Sequence, residues 1–105
     1  MLVQINTDNR LEGTTATAAA IKERVRERLA RFADRLTRVE VHLRDVDGDR
    51  NGGQGIEATL EARPAGGQPI AVTDQAASID GAVAGVVRKS VDILDRAFGK
   101  QDAVR

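Results

Sequence analysis

Two stretches of strict alternation constrain this chain more than anything else in it. In residues 38–44, RVEVHLR, the apolar Val39, Val41 and Leu43 interleave with Glu40, His42 and Arg44. In residues 56–63, IEATLEAR, the apolar Ile56, Ala58, Leu60 and Ala62 interleave with Glu57, Thr59, Glu61 and Arg63. Side chains on a strand point to opposite faces in turn, so each run is a strand with one apolar and one polar face. A sheet built from them is wet on one side and must be covered on the other.

The rest of the chain supplies the cover. Residues 2–5, LVQI, form a short β-type run, and 7–13 carry turn chemistry. Thr14 or Thr15 can cap a helix that reads from there to Leu36. Its apolar residues Ile21, Val25, Leu29, Phe32 and Leu36 step by helical intervals and make one stripe. After the turn at 64–68 and a short strand at 69–72, Asp74 is expected to cap a second helix, stopped by Gly99. Its stripe is Ile79, Val83, Val86, Val87, Ser90, Leu94 and Ala97.

The expected order is therefore β-α-β-β-β-α. The first two strands are parallel through a right-handed crossover. Each helix has only one apolar stripe, so both lie on the covered face of a four-stranded sheet. The fold class is α+β, a two-layer sandwich. A chain of 105 residues suffices for one domain, expected over 1–100 with a frayed tail at 101–105.

Residues 45–55, DVDGDRNGGQG, look most like a chemical motif. From Asp47 they match the first half of an EF-hand loop, with oxygen ligands at positions one, three and five and glycine at six. The second half fails. Position twelve, where a bidentate glutamate belongs, is Ala58, and the flanks are strands. A phosphate cradle needs a helix after its glycines, and a strand follows. The segment reads as an acidic hairpin loop that binds no metal.

His42 is the single histidine, between Glu40 and Arg44 on the polar face, with Thr59 the one hydroxyl within reach on the neighbouring strand. It reads as a solvated strand residue. There is no cysteine, no zinc spacing and no nucleotide fingerprint. No catalytic residue, cofactor or metal site is assigned, and the chain does not read as an enzyme. No apolar run approaches the roughly 20 residues of a membrane span, and no signal peptide stands at the start. A cytoplasmic protein without membrane contact is expected.

Sixteen basic and sixteen acidic residues cancel, which argues against nucleic-acid binding by bulk charge. Only two aromatic residues, Phe32 and Phe98, are available, so base stacking is poorly served. The charges are nevertheless sorted. At 100° per residue from Ile21, Arg24, Arg28, Arg31 and Arg35 fall in one row at roughly 280–340°, beside the apolar stripe at roughly 0–80°. Glu23, Glu27 and Asp34 fall at roughly 200–240°. Like charges four apart on a helix cost a few tenths of a kcal/mol per pair. Lys89, Arg96 and Lys100 give the second helix a weaker basic row, with Asp92 close by. Two such rows side by side could grip a phosphate backbone despite zero net charge. An ordinary solvated helix, with Glu27 and Asp34 pairing the arginines, is the competing reading.

Across roughly residues 1–100 the chain resembles the ribosome hibernation factors, the HPF/RaiA group also called sigma-54 modulation proteins. INTDN at 5–9 precedes a Thr-capped helix, and FADRLTRVEVHL at 32–43 is similar to the family's passage into a Val-rich strand. ATLEAR at 58–63 is like the family's third strand. In TDQAASIDGAVAGVVRKSVDIL, Asp74 followed by Ile79 and Asp80 matches an Asp at the helix start and an aliphatic–Asp pair beyond it. The chain looks like a short, divergent member. It has Ala76 where the family usually has Tyr, and Gly85 and Asp92 where basic residues are common, while Arg88 matches a basic family position.

The resemblance implies a β-α-β-β-β-α fold similar to double-stranded RNA-binding domains. It implies binding to the 30S subunit in the decoding region through 16S rRNA, blocking translation and preserving idle ribosomes. The RNA-contacting residues would be Arg24, Arg28, Arg31, Arg35, Arg88, Lys89, Arg96 and Lys100. A second reading keeps the fold and assigns the function to protein contacts, a homodimer among them, on the strength of the neutral charge and the acidic loop and sheet face.

Overall fold

The computed structural model describes residues 1–8, 15–46 and 55–103. Its elements are β1 (Leu2–Thr7), α1 (Thr15–Arg28), a 3-10 segment (Ala30–Arg35), β2 (Leu36–Asp45), β3 (Ile56–Pro64), β4 (Ile70–Ala76) and α2 (Ile79–Ala103). The four strands form one sheet in the order β1-β2-β3-β4. β1 runs parallel to β2, with Val3 beside Val39 and Ile5 beside Val41. β2 to β3 and β3 to β4 are antiparallel, with Val41 opposite Leu60 and Leu60 opposite Val72.

The alternation behaves as read. Val3, Val39, Val41, Leu43, Ala58, Leu60, Ala62 and Val72 are buried on one face. They join Ile21 and Val25 of α1 and Val83, Val86 and Leu94 of α2 in a single core. Both helices therefore cover the same side of the sheet. Phe32 and Phe98 meet at the end of this layer, rings 5.8 Å apart and tilted by 45°.

Three expectations are corrected. First, the first helix does not run unbroken to Leu36. It ends at Arg28, and a 3-10 segment over Ala30–Arg35 leads directly into β2. Leu29 N still bonds back to Val25 O at 3.0 Å, but Phe32 N bonds to Leu29 O at 2.9 Å, the shorter step of the tighter helix. The sheet dictates the change. Leu36 must be buried as the first residue of β2, and Arg35 O is already committed to Ala65 N at 2.8 Å. Tertiary demand overrides helix propensity here.

Second, Asp74 is not a helix cap. It lies within β4, which extends to Ala76. The cap of α2 is Ser78, whose Oγ accepts from Gly81 N at 3.0 Å. Third, Gly99 does not stop α2, which continues to Ala103, and Ala97 is exposed while Ala82 and Phe98 complete the buried stripe. Ser90, fully buried among apolar residues, satisfies its hydroxyl by donating to Val87 O at 2.8 Å.

The neck of the acidic loop is closed by Val46 N donating to Gly55 O at 2.7 Å. The absence of a metal site expected within that loop concerns positions 47–54, which lie outside the described residues. Among the described residues no helix is long and apolar enough to cross a membrane.

Candidate nucleic-acid interface

The arginine row of the first helix survives its change of helical type, because the row lies along the seam where α1 and the 3-10 segment pass α2. Upstream, Arg24 and Arg28 face Arg88 across an open groove of about 520 Å³, floored by Gly81, Ala84 and Val87. Asp80 is the one carboxylate in this groove, 3.6 Å from Arg24. Arg28 and Arg88 make no ion pair with any described residue.

Downstream, Arg31 is held by a two-pronged contact to Asp95, Nη1 to Oδ1 at 2.7 Å and Nη2 to Oδ2 at 2.8 Å. Its guanidinium also lies 4.6 Å from the Phe32 ring centre, and that of Arg35 lies 4.3 Å from the centre of Phe98. A guanidinium over an aromatic face is attracted by the ring's negative π-cloud and loses little hydration doing so. The two rings are thus positioning surfaces for arginines. Among the described residues, the two hollows along this seam are lined by five arginines and two aspartates.

The remaining basic residues divide. Lys89 turns away from the seam toward β4, donating to Thr73 O at 2.9 Å and Asp74 Oδ1 at 3.3 Å. It staples α2 to the sheet. Arg96 is exposed and sits about 20° from Lys89 around α2 but about 80° from Arg88. The side chain of Lys100 lies outside the described residues. The structure therefore groups Arg88 with the α1 row and separates it from Lys89 and Arg96.

The opposite, wet face of the sheet carries Glu40, Glu57 and Glu61 against Arg38, Arg44 and Arg63 and is internally paired. Arg44 Nε donates to Glu57 at 2.8 Å, and Gln75 reaches the other Glu57 oxygen at 3.1 Å. The hydrogen bond from Gln75, then that from Arg44, holds the Glu57 carboxyl below its ordinary range. Arg38 bonds both Gln4 Oε1 at 2.6 Å and Glu40 at 3.2 Å. His42 is not simply solvated. Its Nε2 lies 3.0 Å from Glu61 and its Nδ1 3.5 Å from the Asn6 amide. Thr59, opposite His42 in the ladder, turns its hydroxyl to Thr73 at 3.2 Å instead. The grouping of Glu40, His42 and Glu61 went unread in the sequence. The signal lay in register: once residue 42 faces 59, residue 61 is the diagonal neighbour.

The family model described as "Sigma 54 modulation protein / S30EA ribosomal protein" matches residues 3–101. No curated protein matches the chain. Among solved structures, the N-terminal domain of Protein Y from Thermus thermophilus superposes with a TM-score of 0.71 at 22% identity, covering 91% of this chain and 98% of that one. A ribosomal subunit interface protein from Coxiella burnetii superposes with a TM-score of 0.64 at 14% identity, covering 98% and 99%. At such identities these two structures establish a shared fold.

Proposed function

The chain belongs to the family of sigma 54 modulation proteins and S30EA ribosomal proteins, and on that premise we propose that it is a ribosome-associated factor whose α1–α2 seam contacts ribosomal RNA. The proposed target is 16S rRNA in the decoding region of the 30S subunit. Occupying it would inhibit translation and preserve idle ribosomes. The factor would act by occupancy, without catalysis, and in the cytoplasm where ribosomes are found.

The observation that supports this reading is the gathering of arginines at the seam, where five arginines and two aspartates line its hollows among the described residues of a chain of zero net charge. Planar guanidinium forks match phosphate oxygens in pairs, and several on one edge can follow a backbone. Arg31 and Arg35 are held in place by Asp95, Phe32 and Phe98, so little side-chain freedom remains to be lost on binding. Arg28 and Arg88 give up no described ion pair. The carboxylates Glu40, Glu57 and Glu61 lie on the other side of the sheet, where they do not oppose a phosphate approaching the helices.

The test is sedimentation of lysate on a sucrose gradient. Arg28→Glu with Arg88→Glu should move the protein from the 30S and 70S fractions to the top. Both side chains are exposed, so the fold is retained. Removing one arginine that neutralises a phosphate should lower the slope of log affinity against log salt by roughly 0.7–0.9. Arg63→Glu, the same substitution made once at the end of β3, should leave sedimentation unchanged. If the double variant still sediments with ribosomes at moderate salt, the seam is a solvated face. The wet sheet face, working through protein contacts without tight ribosome binding, then becomes the better reading.

A further inference from the structure

The seam leaves the outer sheet face unexplained. In the β2–β3 ladder Glu40 stands directly opposite Glu61, and His42, two residues along β2, shares their face. Like charges directly opposite each other in a ladder are destabilising. One ligand atom from each of Glu40, His42 and Glu61 lies within 4.8 Å of the other two. Arg38 reaches Glu40 at 3.2 Å but is also bound to Gln4. Glu61 faces the imidazole Nε2 at 3.0 Å.

We propose that Glu40, His42 and Glu61 form a binding site for a single Zn²⁺ ion. Three protein ligands of mixed nitrogen and oxygen type, with water in the fourth position, are an ordinary zinc set. The imidazole decides the class of metal, since Ca²⁺ and Mg²⁺ take oxygen ligands. The three residues sit on paired strands, so the ligand positions are fixed by the ladder and not by a loop.

Asn6 on β1 is the second observation. Its amide nitrogen Nδ2 lies 3.5 Å from His42 Nδ1, the ring nitrogen remote from Glu61. An amide can present its oxygen as readily as its nitrogen. Turned over so that its oxygen faces the ring, Asn6 would accept from Nδ1–H and leave the Nε2 lone pair free for the metal. A partner that fixes the tautomer in this way is the usual companion of a metal-bound histidine. Bound zinc would tie β1, β2 and β3 together across the face opposite the arginine seam. It would also replace the Glu40–Glu61 repulsion by a shared cation.

The purified full chain should be titrated with ZnCl₂ against a chromogenic zinc chelator, with a thermal melt run in parallel. One ion per chain at micromolar zinc, with a raised melting temperature, is expected. His42→Ala and the near-isosteric Glu61→Gln should each weaken uptake at least about tenfold, and Asn6→Ala by roughly 10-fold to 100-fold through the imidazole it orients. Glu57→Gln, a carboxylate on the same face but outside the cluster, should change uptake little. Millimolar Ca²⁺ or Mg²⁺ should not compete. No uptake at micromolar zinc overturns the proposal. So does uptake that His42→Ala leaves intact, which would move the ion to other carboxylates such as those of the 45–55 loop.

Discussion

Replacing Gly85 by alanine opposes two effects of similar size, and the structure says which wins. Gly85 is buried within α2 against β4. By propensity alone, alanine in a helix interior gains about 1 kcal/mol over glycine. The space is occupied, however. A Cβ at Gly85 would collide with Asp74 Oδ2 and lie 2.7 Å from its Cγ and 3.1 Å from its Cβ. Rotating the carboxylate away relieves the first two clashes and leaves the third. It also breaks the pairing with Lys89 at 3.3 Å, a half-exposed interaction worth at most about 1 kcal/mol. Forcing one extra methyl into a filled site costs about 1–3 kcal/mol. The expected net is a destabilisation of about 1 kcal/mol, or a melting temperature lower by about 4–8 °C. Urea melts of the four proteins in the Asp74→Ala and Gly85→Ala cycle measure it. With the carboxylate gone, Gly85→Ala should become neutral or stabilising, so the coupling should be roughly 1–2 kcal/mol. If Gly85→Ala stabilises the parent chain, or shifts both backgrounds equally, the clash is not what selects glycine here.

Two further outcomes follow from the same region and from the wet face. Ser78→Ala should cost about 1 kcal/mol in urea melts through removal of the cap on Gly81 N, and an unchanged midpoint would return the cap to another residue. Glu57 has a carboxyl whose folded-state pKa is lowered by Gln75 and Arg44, so it contributes stability above the ordinary carboxylate range that is lost as pH falls through the lowered value. Glu57→Gln should therefore be less stable than the parent near neutrality and converge with it in acid; a gap that stays constant with pH would refute the assignment.

How far the sequence could be read is clearest at Asp74. The alternation of 38–44 and 56–63 yields the strands and the side of the sheet that is covered, because a period of two is imposed by the backbone itself. The helical stripes then place both helices. Asp74 breaks the pattern. Val72, Asp74 and Ala76 share one face of β4, and an aspartate at an inward position followed by small residues looks like a helix cap. What permits it in a strand is the missing side chain of Gly85, eleven positions on and in another element. That compensation is tertiary and leaves no local trace. The same holds for the site. The row of Arg24, Arg28, Arg31 and Arg35 was legible as an angular cluster on one helix. Sequence periodicity grouped Lys89 with Arg96 because they share an angle on α2, yet that angle faces β4, where Lys89 is consumed by Thr73 and Asp74. Arg88, one residue earlier, turns the other way and joins the α1 row across the groove. Angles around one helix rank its own residues; only the packing of α1 against α2 says which of them meet. A neutral chain thus gathers arginines at one seam not by carrying excess charge but by placing Arg88 opposite Arg24 and Arg28, while on the far side of the sheet Glu40, Glu57 and Glu61 are matched by Arg38, Arg44 and Arg63.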